Sequence, residues 1–163
     1  MDSQHLTIEP ELLEFIDKLG AFYESTGIPR ISGRIVGLLL VMEVPVSPED
    51  ISKILSVSRS SISTSLSLLK AYKFTEEIRY PGDRKEYYKY SDNALENLLK
   101  MKLSQYEPFR NILVEGMNLL NKRSMPEKKI EDLLSYMKLE ENYISDLLEE
   151  WKKFQKHTKQ KEP

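Results

Sequence analysis

Cysteine is absent from the 163 residues. Disulfides, thiolate catalysis and Cys-ligated zinc are thereby excluded, and a cytoplasmic location is the expectation. Histidine is nearly absent: His5 and His157 lie near opposite ends, which leaves no material for a His-based triad or a multi-His metal site. The six glycines (Gly20, Gly27, Gly33, Gly37, Gly82 and Gly116) form neither GxGxxG nor GxxxxGK, so phosphate-cradling loops are missing. The longest apolar run, Leu38–Met42, falls far short of the roughly 18–20 residues that a membrane helix needs. The opening Met1-Asp2-Ser3-Gln4-His5 lacks the basic and apolar regions of a signal peptide. No membrane, metal or cofactor is therefore expected. An enzyme would have to work with carboxylates, Lys or Tyr alone, and a non-enzyme is the reading.

What is present is a soluble, globular balance: 40% hydrophobic and 31% charged residues, with a formal charge of −2. The charge is unevenly laid out. Residues 1–50 hold 3 basic and 9 acidic side chains, residues 51–90 hold 8 basic and 4 acidic, and residues 91–163 hold 13 of each. The middle segment is thus net positive by 8 − 4 = 4. Exposed charges act over roughly 8–10 Å, so a local basic patch can bind a polyanion even on an acidic chain.

Apolar spacing predicts a helix over residues 9–26 (Leu12, Leu13, Phe15, Ile16, Leu19, Phe22, Tyr23), with Pro10 in its first turn and Gly27 at its stop. A second, largely buried helix runs from Pro29 to about Met42. Its Gly33 and Gly37, four apart, let another backbone come close, most simply in helix packing. Ser47, Pro48, Glu49 and Asp50 then make a strong helix start: an N-cap hydroxyl, a first-turn proline and two carboxylates at the positive dipole end. This short helix carries Ile51, Ile54 and Leu55. After the Ser56-Val57 turn, Ser58 caps a further helix from Arg59 to about Tyr72.

Two short helices joined by such a turn have the helix–turn–helix pattern. The second has an apolar seam of Ile62, Leu66 and Leu69, yet six of the eight residues from Ser60 to Ser67 are Ser or Thr. Serine is a mediocre helix former. Small hydroxyls do allow close approach while donating and accepting hydrogen bonds, which suits a DNA major groove. Phe74–Tyr80 and Glu86–Tyr90 read as strands around a Pro81-Gly82-Asp83-Arg84 turn, with Tyr87, Tyr88 and Tyr90 favouring strand. A hairpin after a helix–turn–helix is a wing, and it puts Arg84 and Lys85 at the tip, where an Arg can enter a minor groove.

From Ser91 onward the pattern is helical. One stripe runs from Leu95 through Tyr106, Phe109 and Leu113 to Leu120, with a break or kink expected at Pro108. A second carries Ile130, Leu134, Met137, Ile144, Leu148, Trp151 and Phe154, and residues from Lys156 onward look frayed. These stripes exceed what a small winged helix can cover; a symmetric dimer would bury like against like, and a monomeric antiparallel helical hairpin folded onto the wing domain is the alternative. The fold class is mainly α with a small β-hairpin wing. The expected organisation is an N-terminal dimerisation helix (1–28), a winged helix–turn–helix (29–91), C-terminal dimerisation helices (92–157) and a disordered tail (158–163).

The stretches Gly27-Ile28-Pro29-Arg30-Ile31-Ser32-Gly33-Arg34-Ile35, Leu55-Ser56-Val57-Ser58-Arg59-Ser60-Ser61-Ile62-Ser63-Thr64 and Pro81-Gly82-Asp83-Arg84-Lys85-Glu86-Tyr87-Tyr88 together resemble the GbsR-type branch of MarR-like transcriptional regulators. The match spans roughly residues 9–90. The resemblance implies a homodimeric repressor whose recognition helix begins at Ser58–Thr64 and whose wing arginine is Arg84. Some members sense small quaternary ammonium compounds through aromatics, which makes a small-molecule effector an open expectation. Tyr23, Tyr106, Phe109, Tyr143 and Trp151 could supply such rings, although helix-spaced aromatics are more often core or interface. One departure stands out: many relatives have Gly where the recognition helix gives way to the wing, and here that position is about Lys73.

The expected partner is double-stranded DNA carrying a pseudo-palindromic operator, with two recognition helices about 34 Å apart. The candidate contacts are Ser58, Arg59, Ser60, Ser61, Ser63, Thr64, Ser67, Lys70, Arg84 and Lys85. Lys53, Lys70 and Lys85 would position on phosphates without specifying sequence. The alternative is a winged helix serving as a protein–protein interaction or assembly module without specific DNA binding.

Overall fold

In the computed structural model, which describes residues 8–159, glycine brings the first two helices together. Helices α1 (Pro10–Ser25) and α2 (Arg30–Val41) lie so close that a Cβ placed on Gly33 would stand 2.7 Å from Tyr23 Cβ and 3.0 Å from Gly20 Cα. One on Gly37 would stand 3.2 Å from Ile16 Cα. The close approach expected at Gly33 and Gly37 is therefore helix packing, with α1 as the neighbour. Arg34 adds an ion pair to Asp17 at 2.6 Å across the same contact.

Helices α3 (Pro48–Leu55) and α4 (Arg59–Ala71) follow, then an antiparallel hairpin of β1 (Thr75–Arg79) and β2 (Glu86–Tyr90). Ile16, Ile35, Leu38, Ile51, Ile62 and Leu69 are fully buried in one core that draws on α1, α2, α3 and α4. The α3–α4 turn closes when the Val57 N–H donates to the Ser52 carbonyl at 3.1 Å, with Ser56 in the left-handed region at φ 52°. Strand β1 is a residue shorter at each end than the expected Phe74–Tyr80, while β2 spans the expected Glu86–Tyr90. Phe74 serves the end of α4, and Tyr80 opens the hairpin turn by accepting from the Asp83 N–H at 3.1 Å. Sequence reading missed one element: Val46 pairs with Tyr88 through two main-chain hydrogen bonds of 2.8 and 2.9 Å, which ties the wing to the segment before α3.

The contacts divide the chain after Ala94. The second unit, from Leu95 on, holds α6 (Lys128–Lys159) and all of α5 (Ala94–Lys122) except its first residue. Helix α5 runs unbroken through Pro108, so of the kink or break expected there the break does not occur. An interior proline costs about 3 kcal/mol. Here the packing of α5 on α6 holds on both sides of it: Tyr106 is buried, Lys102 pairs with Glu140 at 2.6 Å, and Arg110 pairs with Glu141. Met137 and Leu148 are buried from the α6 side. Many apolar side chains of this unit stay outside its own core, among them Tyr143 (75% exposed), Ile112 (64%) and Leu139 (61%). Helix α6 also continues to Lys159, past the boundary expected at 157; residues 160–163 of the expected tail, like His5, lie outside the described residues. Among the described residues no helix is long and apolar enough to cross a membrane.

Candidate nucleic-acid interface

Helix α4 presents two unlike sides. Ile62, Leu66 and Leu69 face the core, and Ser65 is buried with them. Ser58, Arg59, Ser60, Ser63, Thr64, Ser67 and Lys70 are exposed, and Ser61 is half-buried. The periodicity explains the split: positions 62, 66 and 69 fall on one stripe of a 3.6-residue helix, and the hydroxyls occupy the rest. At the N-terminus the Ser58 Oγ accepts from the Ser61 N–H at 3.3 Å and lies 3.1 and 2.8 Å from the hydroxyls of Ser60 and Ser61. Thr64 Oγ1 donates to the Ser60 carbonyl at 3.0 Å. The polar face is thus ordered by its own hydrogen bonds, and several lone pairs and hydroxyl protons remain for an incoming surface.

The wing tip is built around Asp83. Its carboxylate accepts from the Lys85 N–H at 2.9 Å and from the Tyr87 hydroxyl at 2.8 Å, and these bonds, the Lys85 one foremost, hold its pKa below the usual carboxylate value. Gly82, at φ 81°, takes the left-handed turn position that favours glycine. Tyr80 and Tyr87 meet edge to face at 5.1 Å and stiffen the base of the turn. Arg84 and Lys85 come out exposed at the tip, and Arg84 makes no ion pair among the described residues. A groove of about 310 Å³ between α4 and the hairpin is lined by Ser63, Ser67, Lys70, Glu77 and Arg79.

The positive segment is less free than its sequence suggests. Lys70 pairs with Glu77, whose other oxygen takes Arg79 at 2.7 Å. Lys53, Arg59 and Lys85 all turn to Glu49, at 3.1, 3.5 and 3.7 Å. Both carboxyls are held below the usual range: Glu49 chiefly by its hydrogen bond to Lys53, Glu77 chiefly by that to Lys70. The three lysines expected on phosphates are thus each paired within the chain. Glu49 and Glu77 were not among the candidate residues. The Glu49–Lys53 spacing of four was readable as a helical ion pair, but the convergence of Arg59 and Lys85 appears only once α3, α4 and the wing are assembled. The α3 N-terminus, capped by buried Ser47, likewise carries its own acids: Ser47 Oγ accepts from the Asp50 N–H at 3.2 Å and donates to its carboxylate at 2.6 Å.

A helix–turn–helix followed by a hairpin wing, with an outward hydroxyl face and basic side chains at the tip, defines a winged-helix protein of the DNA-binding class. No family model matches the chain. A curated relative does: the HTH-type transcriptional regulator MmpR5 of Mycobacterium tuberculosis is 30% identical over 145 residues, 86% of this chain and 86% of that protein. The crystal structure of a transcriptional regulator superposes with a TM-score of 0.78 at 25% identity, over 88% of this chain and 99% of the other. The chain belongs to the HTH-type transcriptional regulators, and it is a DNA-binding regulator with a winged-helix fold. The alternative of an assembly module without DNA binding gains no support from these relatives.

Proposed function

We propose that the chain is a homodimeric, cytoplasmic repressor of the GbsR type that reads a pseudo-palindromic operator. The observation that carries this reading is the outward face of α4. Ser60, Ser63, Thr64 and Ser67 stand exposed over a sealed Ile62–Leu66–Leu69 seam, so the helix can enter a major groove without unpacking. Arg59, Ser61, Ser63 and Thr64 make the groove contacts with Ser60 and Ser67 flanking them, and Ser58 offers the capped helix end to a phosphate. Arg84 reaches the neighbouring minor groove, while Lys70 and Lys85 exchange their carboxylate partners for phosphates.

Dimerisation is supported within each unit by apolar side chains left outside: Phe15 and Phe22 on α1, and Ile112, Leu139 and Tyr143 on α5 and α6. A small-molecule effector would fit the regulator class, and the exposed rings of Phe109 and Tyr143 are candidates to meet it or the second copy. The deciding experiment is selection of bound genomic fragments with purified protein, followed by sedimentation of the complex. Enriched inverted repeats bound by two chains are expected. Fragments without a shared motif, or one chain per site, overturn the proposal.

A further inference from the structure

Three cations from three separate elements meet on one carboxylate. Lys53 comes from α3, Arg59 is the first residue of α4, and Lys85 comes from the wing tip; Glu49 in the first turn of α3 receives all of them within 3.7 Å. Such a cluster is the arrangement that would otherwise grip a backbone phosphate. Glu77 plays a similar part for Lys70 and Arg79, but its side chain is only 15% exposed and is built into the hairpin, whereas Glu49 is 39% exposed at the surface. Arg84, on the same tip, has no such partner among the described residues.

We propose that Glu49 is a built-in competitor for DNA phosphate, which holds Lys53, Arg59 and Lys85 in the free protein and restrains sequence-independent binding to duplex DNA. This rests on the DNA-binding reading of α4 and the wing and adds a residue that opposes it. Phosphate contacts supply nearly all non-specific affinity, and in a cell the competing non-specific sites vastly outnumber operators. A carboxylate among the phosphate-binding cations lowers that background: a phosphate must displace it or accept its repulsion. The hydroxyls of Ser63, Thr64 and Ser67 do not touch Glu49 and keep their role at base edges. The lowered pKa of Glu49 keeps the carboxylate charged at neutral pH.

The test is a titration of the full chain with a random-sequence duplex long enough for two half-sites, at several salt concentrations. Glu49→Gln is expected to bind this duplex about 5-fold more tightly and to steepen the fall of log K with log salt by about 0.9, the signature of one further phosphate engaged. Glu49→Asp keeps the charge and is expected to retain the wild-type salt slope, which a merely structural role for the side chain would not predict. Should Glu49→Gln fail to fold, Glu49→Ser serves as the second neutral variant, since serine suits a helix start. Wild-type affinity and slope in the neutral variant, or weaker binding, overturn the proposal while leaving the DNA-binding reading intact. No binding of any duplex by the wild type at low salt overturns both.

Discussion

The Phe74 N–H donates to the Leu69 carbonyl at 2.9 Å and closes α4 around Lys73, whose φ is 56°. Inside this loop the Lys73 N–H donates to the Lys70 carbonyl at 3.0 Å, and Phe74 and Leu69 are both buried. These are the paired bonds of a Schellman ending, with lysine in the seat that glycine fills at no steric cost. The departure noted at this position is therefore a strained residue and not a different path into the wing. Lys73→Gly is expected to stabilise the fold by about 1 kcal/mol, read as a higher urea midpoint with unchanged slope. A lower midpoint would show that the lysine side chain contributes more than its backbone costs.

The α1–α2 contact gives the opposite sign. Alanine is the better helix former by about 1 kcal/mol, but the added methyl at Gly33 would meet Tyr23 Cβ at 2.7 Å and Gly20 Cα at 3.0 Å, neither of them a flexible end. Overpacking of this kind costs about 1–3 kcal/mol. Gly33→Ala is expected to lower Tm, and an unchanged or higher Tm in a thermal melt contradicts the packing described.

Arg84 tests the wing. It is exposed and makes no ion pair among the described residues, so its removal should leave the fold alone. Arg84→Ala is expected to keep the wild-type melting curve and to weaken operator binding by about 1–3 kcal/mol, measured by gel-shift titration on a selected fragment. Equal affinity would remove the wing from the interface.

Burial pushes the Tyr88 hydroxyl up to about 12 from its ordinary 10.0, and the Glu86 carboxylate that accepts from it at 3.1 Å adds to the shift. The folded state resists losing this proton and the unfolded chain does not. The stability involved is thus complete below pH 10 and is lost as pH rises toward 12. Denaturation midpoints are expected to fall across that window in the wild type and less steeply in Tyr88→Phe. Parallel curves would mean that another group governs the alkaline loss.

The elements with strong local signals were legible in the chain. Ser47-Pro48 and Ser58 fixed the starts of α3 and α4 because capping is a property of one or two residues. Pro81-Gly82 announced the wing for the same reason. The inward seam of α4 followed from its period. Pairings between distant segments were not legible. Nothing near Val46 marks it as a partner of Tyr88, and beyond the helical spacing of Glu49 and Lys53 the cations of residues 51–90 gave no sign that Glu49 would also hold Arg59 and Lys85, or Glu77 hold Lys70 and Arg79. That Pro108 does not break α5 was not readable, because proline's local cost is written in the sequence while the offsetting contacts with α6 lie some thirty residues away.

The main-chain link between Val46 and Tyr88 has a mechanical side. A hairpin attached only by its own ends could swing like a loose flap. This one is stitched at mid-strand to the residue just ahead of the α3 cap, so tilting it means tearing two hydrogen bonds in a sealed spot. Helix–turn–helix and wing should consequently turn as one stiff tool, and a signal that tips either out of alignment would withdraw both.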